Sequence, residues 1–441
     1  MRLSFLVACV TTAVLSAEQV DWSFTATPKV VAKGKEWWVA TNGDDHGPGS
    51  KERPFATITK ALSKADPGDT VSVRKGRYAS EKEKLNFSKS GRPDAWIVLR
   101  SADGPGEAEI DGQGKAFEVM LISERSYVVL DGLHVHGSQD NALHVGVACS
   151  YVIVRNCRVH GADGGGDAIK VNGSDHVYVE GCDCSDAADE LIDFMACHHC
   201  VSRGNFMHDL RKGETATFAK GGSHEILFER NVVVGVRHAH ALMLGGDSGK
   251  GLFAPELPDL ECQNMIVRNN VCVDCDDSSI EVRGCRNGWV YHNTAVGCST
   301  TFACVAVRPG ATNNGGVSHS KDIAIFDNLF ANDGNMDRPY CIDDACREGL
   351  TTGSNLWYNG GAGVPDRGGI DVHQEKGSIV NKDPRLASKD LAVKSWTEAV
   401  ERFFPLPGSP ALDAASPTPL VVDDILRHRR ARPSDIGAFE R

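Results

Sequence analysis

The segment from Tyr127 to Gly137 reads YVVLDGLHVHG, and it is the first of eight segments that share one pattern. In each segment, alternating apolar residues lead to one fixed position, and a second short apolar run follows it. The fixed positions are Leu133, Cys157, Cys182, Asn205, Asn231, Asn270, Asn293 and Asn328, and we expect Asn355 to be the ninth. Six of the eight spacings are between 23 and 27 residues, and the two longer ones, 39 and 35 residues, contain inserted loops.

Alternating apolar residues over four to six positions predict short strands. A further strand follows in most repeats, as ALHV from 142, AIKV from 168, LIDF from 191, ALML from 241, SIEV from 279 and CVAV from 304. Strands separated by bends and repeated about every 25 residues predict a parallel β-helix. An inward Asn at the fixed position can hydrogen-bond the backbone of its own coil and the Asn of the next coil. A leucine-rich repeat is the main alternative, but its leucine scaffold is missing.

The ends of the chain differ from the repeats, as the caps of a solenoid must. We expect an N-terminal cap over 36–78, with an amphipathic helix from Phe55 to Ala65 and a strand at PGDTVSV. The cap and the repeats together span 36–360, and a C-terminal segment of coil and cap spans 361–441. The length of 441 residues is therefore interpreted as one solenoid of about ten coils.

Residues 1–17 are predicted to be a secretory signal peptide, since an apolar run from Leu3 to Leu15 precedes the small residues Ser16 and Ala17. The run is too short to span a bilayer, and we expect no membrane span elsewhere. The formal net charge of −12 argues against nucleic-acid binding. We therefore expect a secreted, extracellular or periplasmic protein, and a monomer.

The N-terminal WVATNGDDHGPGS and PGDTVSVRKGRY, the Asn-containing coils and the C-terminal SPALDAA and DIGAFE resemble one group of proteins. They resemble secreted right-handed parallel β-helix proteins of the pectate-lyase-like superfamily. The resemblance extends from about residue 36 to about residue 440. It implies an all-β, right-handed solenoid, and it is compatible with polysaccharide lyases, epimerases, glycoside hydrolases and proteins without activity.

Cysteines recur at equal offsets in neighbouring coils. Stacked strands lie about 4.8 Å apart, within the Cα range of a disulfide. The sequence therefore offers three cross-coil pairs and one local pair as disulfide candidates, with free buried cysteines as the alternative. These are Cys157 with Cys182, Cys275 with Cys298, Cys262 with Cys285, and Cys341 with Cys346.

Carboxylates are concentrated before the third strands of two successive coils. Asp167 precedes AIKV, whereas Asp189 and Glu190 precede LIDF, which contains Asp193. Stacked carboxylates repel one another, and calcium with its oxygen ligands would relieve this repulsion. The alternative is a solvated acidic surface on which Lys170 and Lys220 act as counter-charges.

A calcium ion there could bridge to a uronate, so that Lys220 could abstract the C5 proton and start β-elimination. This arrangement resembles the family-nine pectate lyases, with Asp167, Asp189, Glu190 and Asp193 at the metal positions. The sequence departs from that family at three points: Glu190 replaces an Asp, the spacing to Lys220 is shorter than the family's, and the family's Lys before Leu-Gly-Gly corresponds to Met243. If that alignment holds, the remaining basic candidates are His238, His240 and Arg283.

The sequence thus predicts a calcium-dependent lyase that acts on an anionic polysaccharide, with Lys220, Arg283 and His240 as catalytic candidates. A glycoside hydrolase with paired carboxylates is the first alternative. A carbohydrate-binding protein without activity is the second, although an aromatic content of 7% offers no obvious stacking platform.

Overall fold

The structure is a computed structural model that describes residues 20–79, 85–418 and 420–441. The predicted signal peptide, 1–17, lies outside the described residues. The chain forms two compact units, called here the first unit (Phe24–Gly213) and the second unit (Glu214–Arg441, with residues 20–23).

The first unit contains the helix α1 (Ile58–Lys64) and seventeen short strands. These are β1 Glu36–Val39, β2 Thr70–Val73, β3 Gly76–Ala79, β4 Ile97–Ser101, β5 Ala108–Ala116, β6 Met120–Ile122, β7 Ser126–Asp131, β8 Leu133–Ser138, β9 Leu143–Val145, β10 Ser150–Arg155, β11 Arg158–Ala162, β12 Ile169–Asn172, β13 Asp175–Glu180, β14 Asp183–Ala187, β15 Ile192–Met195, β16 His198–Arg203 and β17 Phe206–His208.

The strands of the first unit form three parallel sheets, to which successive coils contribute neighbouring strands. The first sheet has the order β1-β2-β4-β7-β10-β13-β16, the second β3-β5-β8-β11-β14-β17, and the third β6-β9-β12-β15. Ile169 pairs with Leu143 on one side and with Ile192 on the other, and all three are fully buried. Each coil therefore places equivalent apolar residues in the core, which confirms the predicted right-handed parallel β-helix.

The second unit contains the helix α2 (Trp396–Arg402), short 3₁₀ turns at Asp344–Cys346 and Gly360–Ala362, and the remaining strands. These are β18 Thr215–Lys220, β19 Ser223–Glu229, β20 Val232–Val234, β21 His240–Gly245, β22 Cys262–Arg268, β23 Val271–Val273, β24 Ile280–Arg283, β25 Cys285–Tyr291, β26 Thr294–Val296, β27 Ala303–Arg308, β28 Gly310–Ala311, β29 Val317–Ser318, β30 Lys321–Phe326, β31 Leu329–Asn332, β32 Arg338–Ile342, β33 Thr351–Gly353, β34 Leu356–Asn359 and β35 Ile379–Val380.

These strands also form three parallel sheets, with the orders β19-β22-β25-β30-β33, β20-β23-β26-β31-β34-β35 and β18-β21-β24-β27-β32. The antiparallel pair β28–β29 is an excursion from them. The predicted asparagine ladder is present, since each Nδ2 donates to the Oδ1 of the next coil. The distances are 3.1 Å from Asn231 to Asn270, 2.9 Å from Asn270 to Asn293, 2.9 Å from Asn293 to Asn328 and 3.1 Å from Asn328 to Asn355.

Helix α1 forms within the predicted N-terminal cap. The Thr57 side chain accepts a hydrogen bond from the Lys60 amide, and Ile58, Ala61 and Leu62 are buried. In the second unit, the C-terminal motifs pack on the final coils, where Ala411 and Ile436 join Leu329 and Leu356 in one apolar cluster. Within the described ranges, no helix has the length and apolar character needed to cross a bilayer.

The predicted disulfides are absent, because all fourteen cysteines of the described residues are free. The predicted alignment of cysteines between neighbouring coils is present. Cys262 is in register with Cys285, and the Cys275 amide lies 3.4 Å from the Cys298 sulfur. Parallel side chains in register have Cβ atoms about as far apart as the strands, about 4.8 Å. A disulfide needs about 3.8 Å, so stacking aligns these thiols without joining them.

Candidate functional site

The predicted metal ligands lie on and beside the third sheet of the first unit. Lys170 in β12 is in register with Asp193 in β15. Their neighbours Ile169, Val171 and Ile192 point into the core and are fully buried. Because side chains alternate along a strand, Lys170 and Asp193 point away from the core.

Three carboxylates converge at this place. One carboxylate oxygen from each of Asp167, Glu190 and Asp193 lies within 4.8 Å of the other two. The three residues, called here the acidic trio, are 2%, 3% and 0% exposed. The Glu190 amide donates to Asp167 Oδ1 at 2.9 Å, which links the two loops before β12 and β15.

Close backbone contacts hold these loops in place. A Cβ at Gly166 would lie 2.3 Å from the Asp140 carbonyl carbon, and a Cβ at Gly213 would lie 2.2 Å from the Asp189 carbonyl oxygen. Larger residues would therefore push successive coils apart at both positions.

Lys170 supplies the positive charge beside the three carboxylates of the acidic trio. Its ammonium donates to Asp193 Oδ2 and lies 3.1 Å from Asp167 Oδ2. Burial alone lowers the pKa of Lys170, but the neighbouring Asp193 and Asp167 carboxylates outweigh burial and hold this pKa well above its usual range. Lys170 is therefore an ammonium at neutral pH while it contacts these two carboxylates.

Asp189, the fourth predicted ligand, is half-buried and does not belong to the acidic trio. Its amide donates to the Gly166 carbonyl at 3.1 Å, so its backbone supports the loop. Sequence reasoning also missed His144, which pairs with Lys170 in register. His144 contacts Glu118 Oε1 at 2.5 Å and Asn172 Oδ1 at 2.6 Å, and it extends the polar network by one coil.

The donor chemistry of the acidic trio fits a hard divalent cation, which prefers several carboxylate oxygens. Three carboxylates and one ammonium leave a formal charge of −2. A cation would therefore be attracted, although it would compete with the Lys170 ammonium for Asp167 and Asp193.

The predicted catalytic residues lie in the second unit. Lys220 ends β18, is half-buried, and holds its Nζ 3.8 Å from the centroid of the Phe218 ring. A Cβ at Gly246 would lie 3.0 Å from the Lys220 Cδ, so this glycine makes room for the lysine chain. Met243 is fully buried and pairs with Phe218 and Glu281, so it contributes packing at the position where the resemblance would place a lysine.

His240 and Arg283 are bound by carboxylates. His240 Nε2 lies 2.5 Å from Glu281 Oε2, and His240 Nδ1 lies 3.5 Å from Asp277 Oδ1. Arg283 contacts Glu214 at 2.5 Å and Asp247 at 3.6 Å. His238 is exposed, with Asp276 3.8 Å away.

The two carboxyls around His240 have pKa values that diverge. Burial raises the pKa of Asp277. Burial also acts to raise the pKa of Glu281, but the hydrogen bond and charge of His240, together with Arg308, lower it below its ordinary value. Such divergence separates a proton donor from an ionised partner. The sequence did not lead us to Glu281. It could have been identified from its position in the strand SIEV, which is in register with Met243.

Comparison with known proteins supports the fold. Residues 37–215, less than half of the chain, match the model described as "Pel9A-like, right handed beta helix region". A curated relative, "Uncharacterized protein YwoF" of Bacillus subtilis (strain 168), is 28% identical over 140 residues. The match covers 29% of this chain and 29% of that protein, so the chain spans less than a third of the relative's length.

Three solved structures illustrate the likeness. Pectate lyase Pel9A has a TM-score of 0.54 at 14% identity, over 93% of this chain and 97% of that chain. XylC in complex with xylose has a TM-score of 0.56 at 12% identity, over 92% and 98%. The GH136 lacto-N-biosidase from Eubacterium ramulus has a TM-score of 0.54 at 12% identity, over 74% and 63%. At these identities the likeness concerns the fold alone: the chain is a right-handed parallel β-helix, and its residues 37–215 match the Pel9A-like region.

Proposed function

We propose that the protein is a secreted, calcium-dependent lyase that cleaves a uronate-containing polysaccharide by β-elimination. One observation carries the proposal: three buried carboxylates converge on the third sheet, in a segment that matches the Pel9A-like region. Secretion predicts that the exported protein begins just after Ala17, and the intact mass of protein recovered outside the cytoplasm tests this directly.

Asp167, Glu190 and Asp193 would hold the calcium ion. When bound, calcium would join the acidic protein to the substrate carboxylate and make the C5 proton more acidic. Lys170 offsets the charge of the acidic trio before calcium arrives.

Lys220 is the best of the three candidate bases. His240 and Arg283 are each held by two carboxylates. Among the ion pairs of the described residues, Lys220 has none, and its nitrogen contacts the Phe218 ring instead. The Lys220 side-chain nitrogen therefore forms no ion pair with a carboxylate of the described residues.

The test measures the ultraviolet absorbance of the unsaturated product on pectate, alginate and glycosaminoglycans, with calcium and with a chelator. We expect calcium-dependent absorbance from the wild type on one of these glycans, and its loss in Lys220→Ala. Lys250→Ala, on an exposed lysine of the same unit, is the control and should retain activity. Activity that survives in Lys220→Ala, or that ignores the chelator, would contradict the proposal.

A glycoside hydrolase is the second candidate, and the Asp277–His240–Glu281 cluster favours it. One carboxyl with a raised pKa and one with a lowered pKa are the groups that acid–base hydrolysis requires. This alternative predicts new reducing ends without ultraviolet absorbance, insensitive to chelator and abolished in Glu281→Gln and Asp277→Asn. Asp259→Asn, on an exposed carboxylate of the same unit, is the control.

A further inference from the structure

A second cluster of ligand-type side chains lies in the first unit, on the second sheet. Strands β5, β8 and β11 are consecutive neighbours there, with Glu109 in register with His134 and Asp111 with His136. His136 is in register with His160 in turn. Val135 and Val159 are fully buried, so the alternating histidines point away from the core.

The side chains of this cluster meet across three coils. One ligand atom from each of Glu109, His134 and His136 lies within 4.8 Å of the other two. His136 Nε2 is 2.9 Å from Glu109 Oε1, and His134 Nε2 is 2.7 Å from His160 Nε2. The stacked rings of His136 and His160 lie 5.0 Å apart, centroid to centroid.

From this geometry we infer that Glu109, His134 and His136 form a zinc site, which His160 completes from the third coil when its ring turns toward the ion. Imidazole nitrogens and one carboxylate oxygen are ligands that zinc accepts in a tetrahedral site. Two nitrogens of such a site lie about 3.3 Å apart, given zinc–nitrogen bonds of about 2.05 Å. The Nε2 atoms of His134 and His160, which lie 2.7 Å apart, would move to that separation as the His160 ring turns out of its stack on His136.

Further charged side chains surround this cluster. Asp111 is 2% exposed, and its Oδ1 lies 3.7 Å from His136 Nδ1. That distance is longer than a hydrogen bond, and the Gln113 amide donates to the same oxygen at 2.7 Å, so Asp111 contributes negative charge beside the ring. Arg77 donates to Asp111 and lies 3.5 Å from Glu109, which limits the excess of negative charge.

The inference goes beyond the proposed lyase activity, because the zinc site and the acidic trio use different residues on different sheets. Its role is structural: four protein ligands leave no open position for a substrate. It would tie together coils that otherwise associate through strand pairing and side-chain stacking.

The test uses the full chain, freed of metal by a chelator and dialysed with excess calcium to occupy the acidic trio. Zinc titration by calorimetry should give one zinc per chain, and the melting temperature should rise with zinc concentration. Cobalt should give the intense visible absorption of tetrahedral coordination. His134→Gln and Glu109→Gln should each weaken zinc affinity by at least about 100-fold, and His134→Gln should abolish the cobalt band.

His208→Ala is the matched control. His208 also lies on the second sheet beside two carboxylates, Asp183 and Asp209, and its removal should leave zinc binding unchanged. Circular dichroism before titration confirms that each variant is folded. Absence of stoichiometric zinc in the wild type, or equal zinc affinity in wild type and His134→Gln, would overturn the inference.

Discussion

Single residues decide the charge of the candidate site. Asp193 is fully buried, and the Lys170 ammonium is the cation that compensates it. The sequence placed Lys170 on the outward face, one coil before Asp193. Their contact could therefore be predicted from the strand register alone. The sequence could not tell that Asp189 would lie apart from the acidic trio, because that depends on how the loop before β15 turns.

Replacing Lys170 tests this arrangement. Lys170→Met leaves Asp193 without its cation, and loss of one partner of a buried ion pair costs about 3 to 5 kcal/mol. Because the folded-state pKa of Lys170 is raised, its contribution is fully present below the ordinary lysine pKa of about 10.4. It is lost as the pH rises through the higher folded-state value. Denaturant unfolding at pH 7 measures the loss.

Calcium should recover more stability in Lys170→Met than in the wild type, because no ammonium competes for the acidic trio. Lys89→Met, which removes a surface pair with Asp66, is the control and should cost less than about 1 kcal/mol. An equal loss in both variants would show that Lys170 does not compensate the trio, and no extra gain with calcium would show that the trio does not hold the ion.

At the scale of the coil, stacking determines what equivalent residues do. Asparagines at the fixed position find amide partners above and below, whereas cysteines in equivalent columns align without bonding. The difference lies in the distance between coils that each kind of side chain can bridge. An amide side chain spans the gap between coils through hydrogen bonds, but two thiols held parallel at the strand spacing are too far apart for a disulfide.

Asn293→Ala tests the ladder. Asn293 Oδ1 accepts from the Asn270 amide at 3.0 Å, and its Nδ2 donates to the Val267 carbonyl at 3.0 Å. Removal of the Asn293 side chain leaves buried polar groups of two coils without hydrogen-bond partners, and each such group lowers the free energy of unfolding by about 1 to 3 kcal/mol. We expect the free energy of unfolding to fall by at least about 2 kcal/mol. Asn314→Ala, on an exposed asparagine, should change it by less than about 0.5 kcal/mol, and similar losses in the two variants would contradict the ladder's role.

The cysteine columns give a second prediction at this scale. Thiol titration of the native protein should label Cys341 first, since it is half-buried whereas the other thirteen described cysteines are buried. Burial raises the pKa of thiols such as Cys184 and Cys304, which suppresses the reactive thiolate further. Denaturant without reductant should expose all fourteen. A shortfall of two thiols for each pair would restore the disulfide hypothesis.

At the scale of the whole molecule, the C-terminal segment completes the second unit. Asp327, fully buried in a late coil, accepts from the Ser416 amide at 2.7 Å, and the Gly437 amide donates to its carbonyl at 2.8 Å. The GSPALDAA and PSDIGAFE motifs, with the adjoining Ser416, therefore pack against the last coils. Their small residues allow this close approach.

The stability of Asp327→Asn at different pH values tests whether the buried Asp327 carboxyl is neutral in this packing. Burial raises the pKa of Asp327 to about 7, and its Oδ2 has no hydrogen-bond partner among the described residues. The stability conferred by the neutral carboxyl is fully present below the unfolded pKa of about 3.9 and is lost as the pH rises through about 7. Asn keeps the acceptor for Ser416 and stays neutral.

The variant should therefore be more stable than the wild type at pH 8, by about 4 kcal/mol, and nearly equal to it at pH 4. Asp366→Asn, on an exposed carboxylate, should show no such dependence. A constant difference between wild type and Asp327→Asn across this range would contradict the raised pKa.

The sequence by itself determined the coils, the faces of their strands and the columns of equivalent residues. It could do so because apolar alternation is local and because the coil period repeats it. The tertiary structure decided which polar side chains meet: Lys170 enters the acidic trio, Asp189 stays outside it, and Glu109 joins histidines from two later coils. These encounters depend on side-chain direction and on the turns between strands, which bring together residues about 25 positions apart. No local pattern encodes those distances.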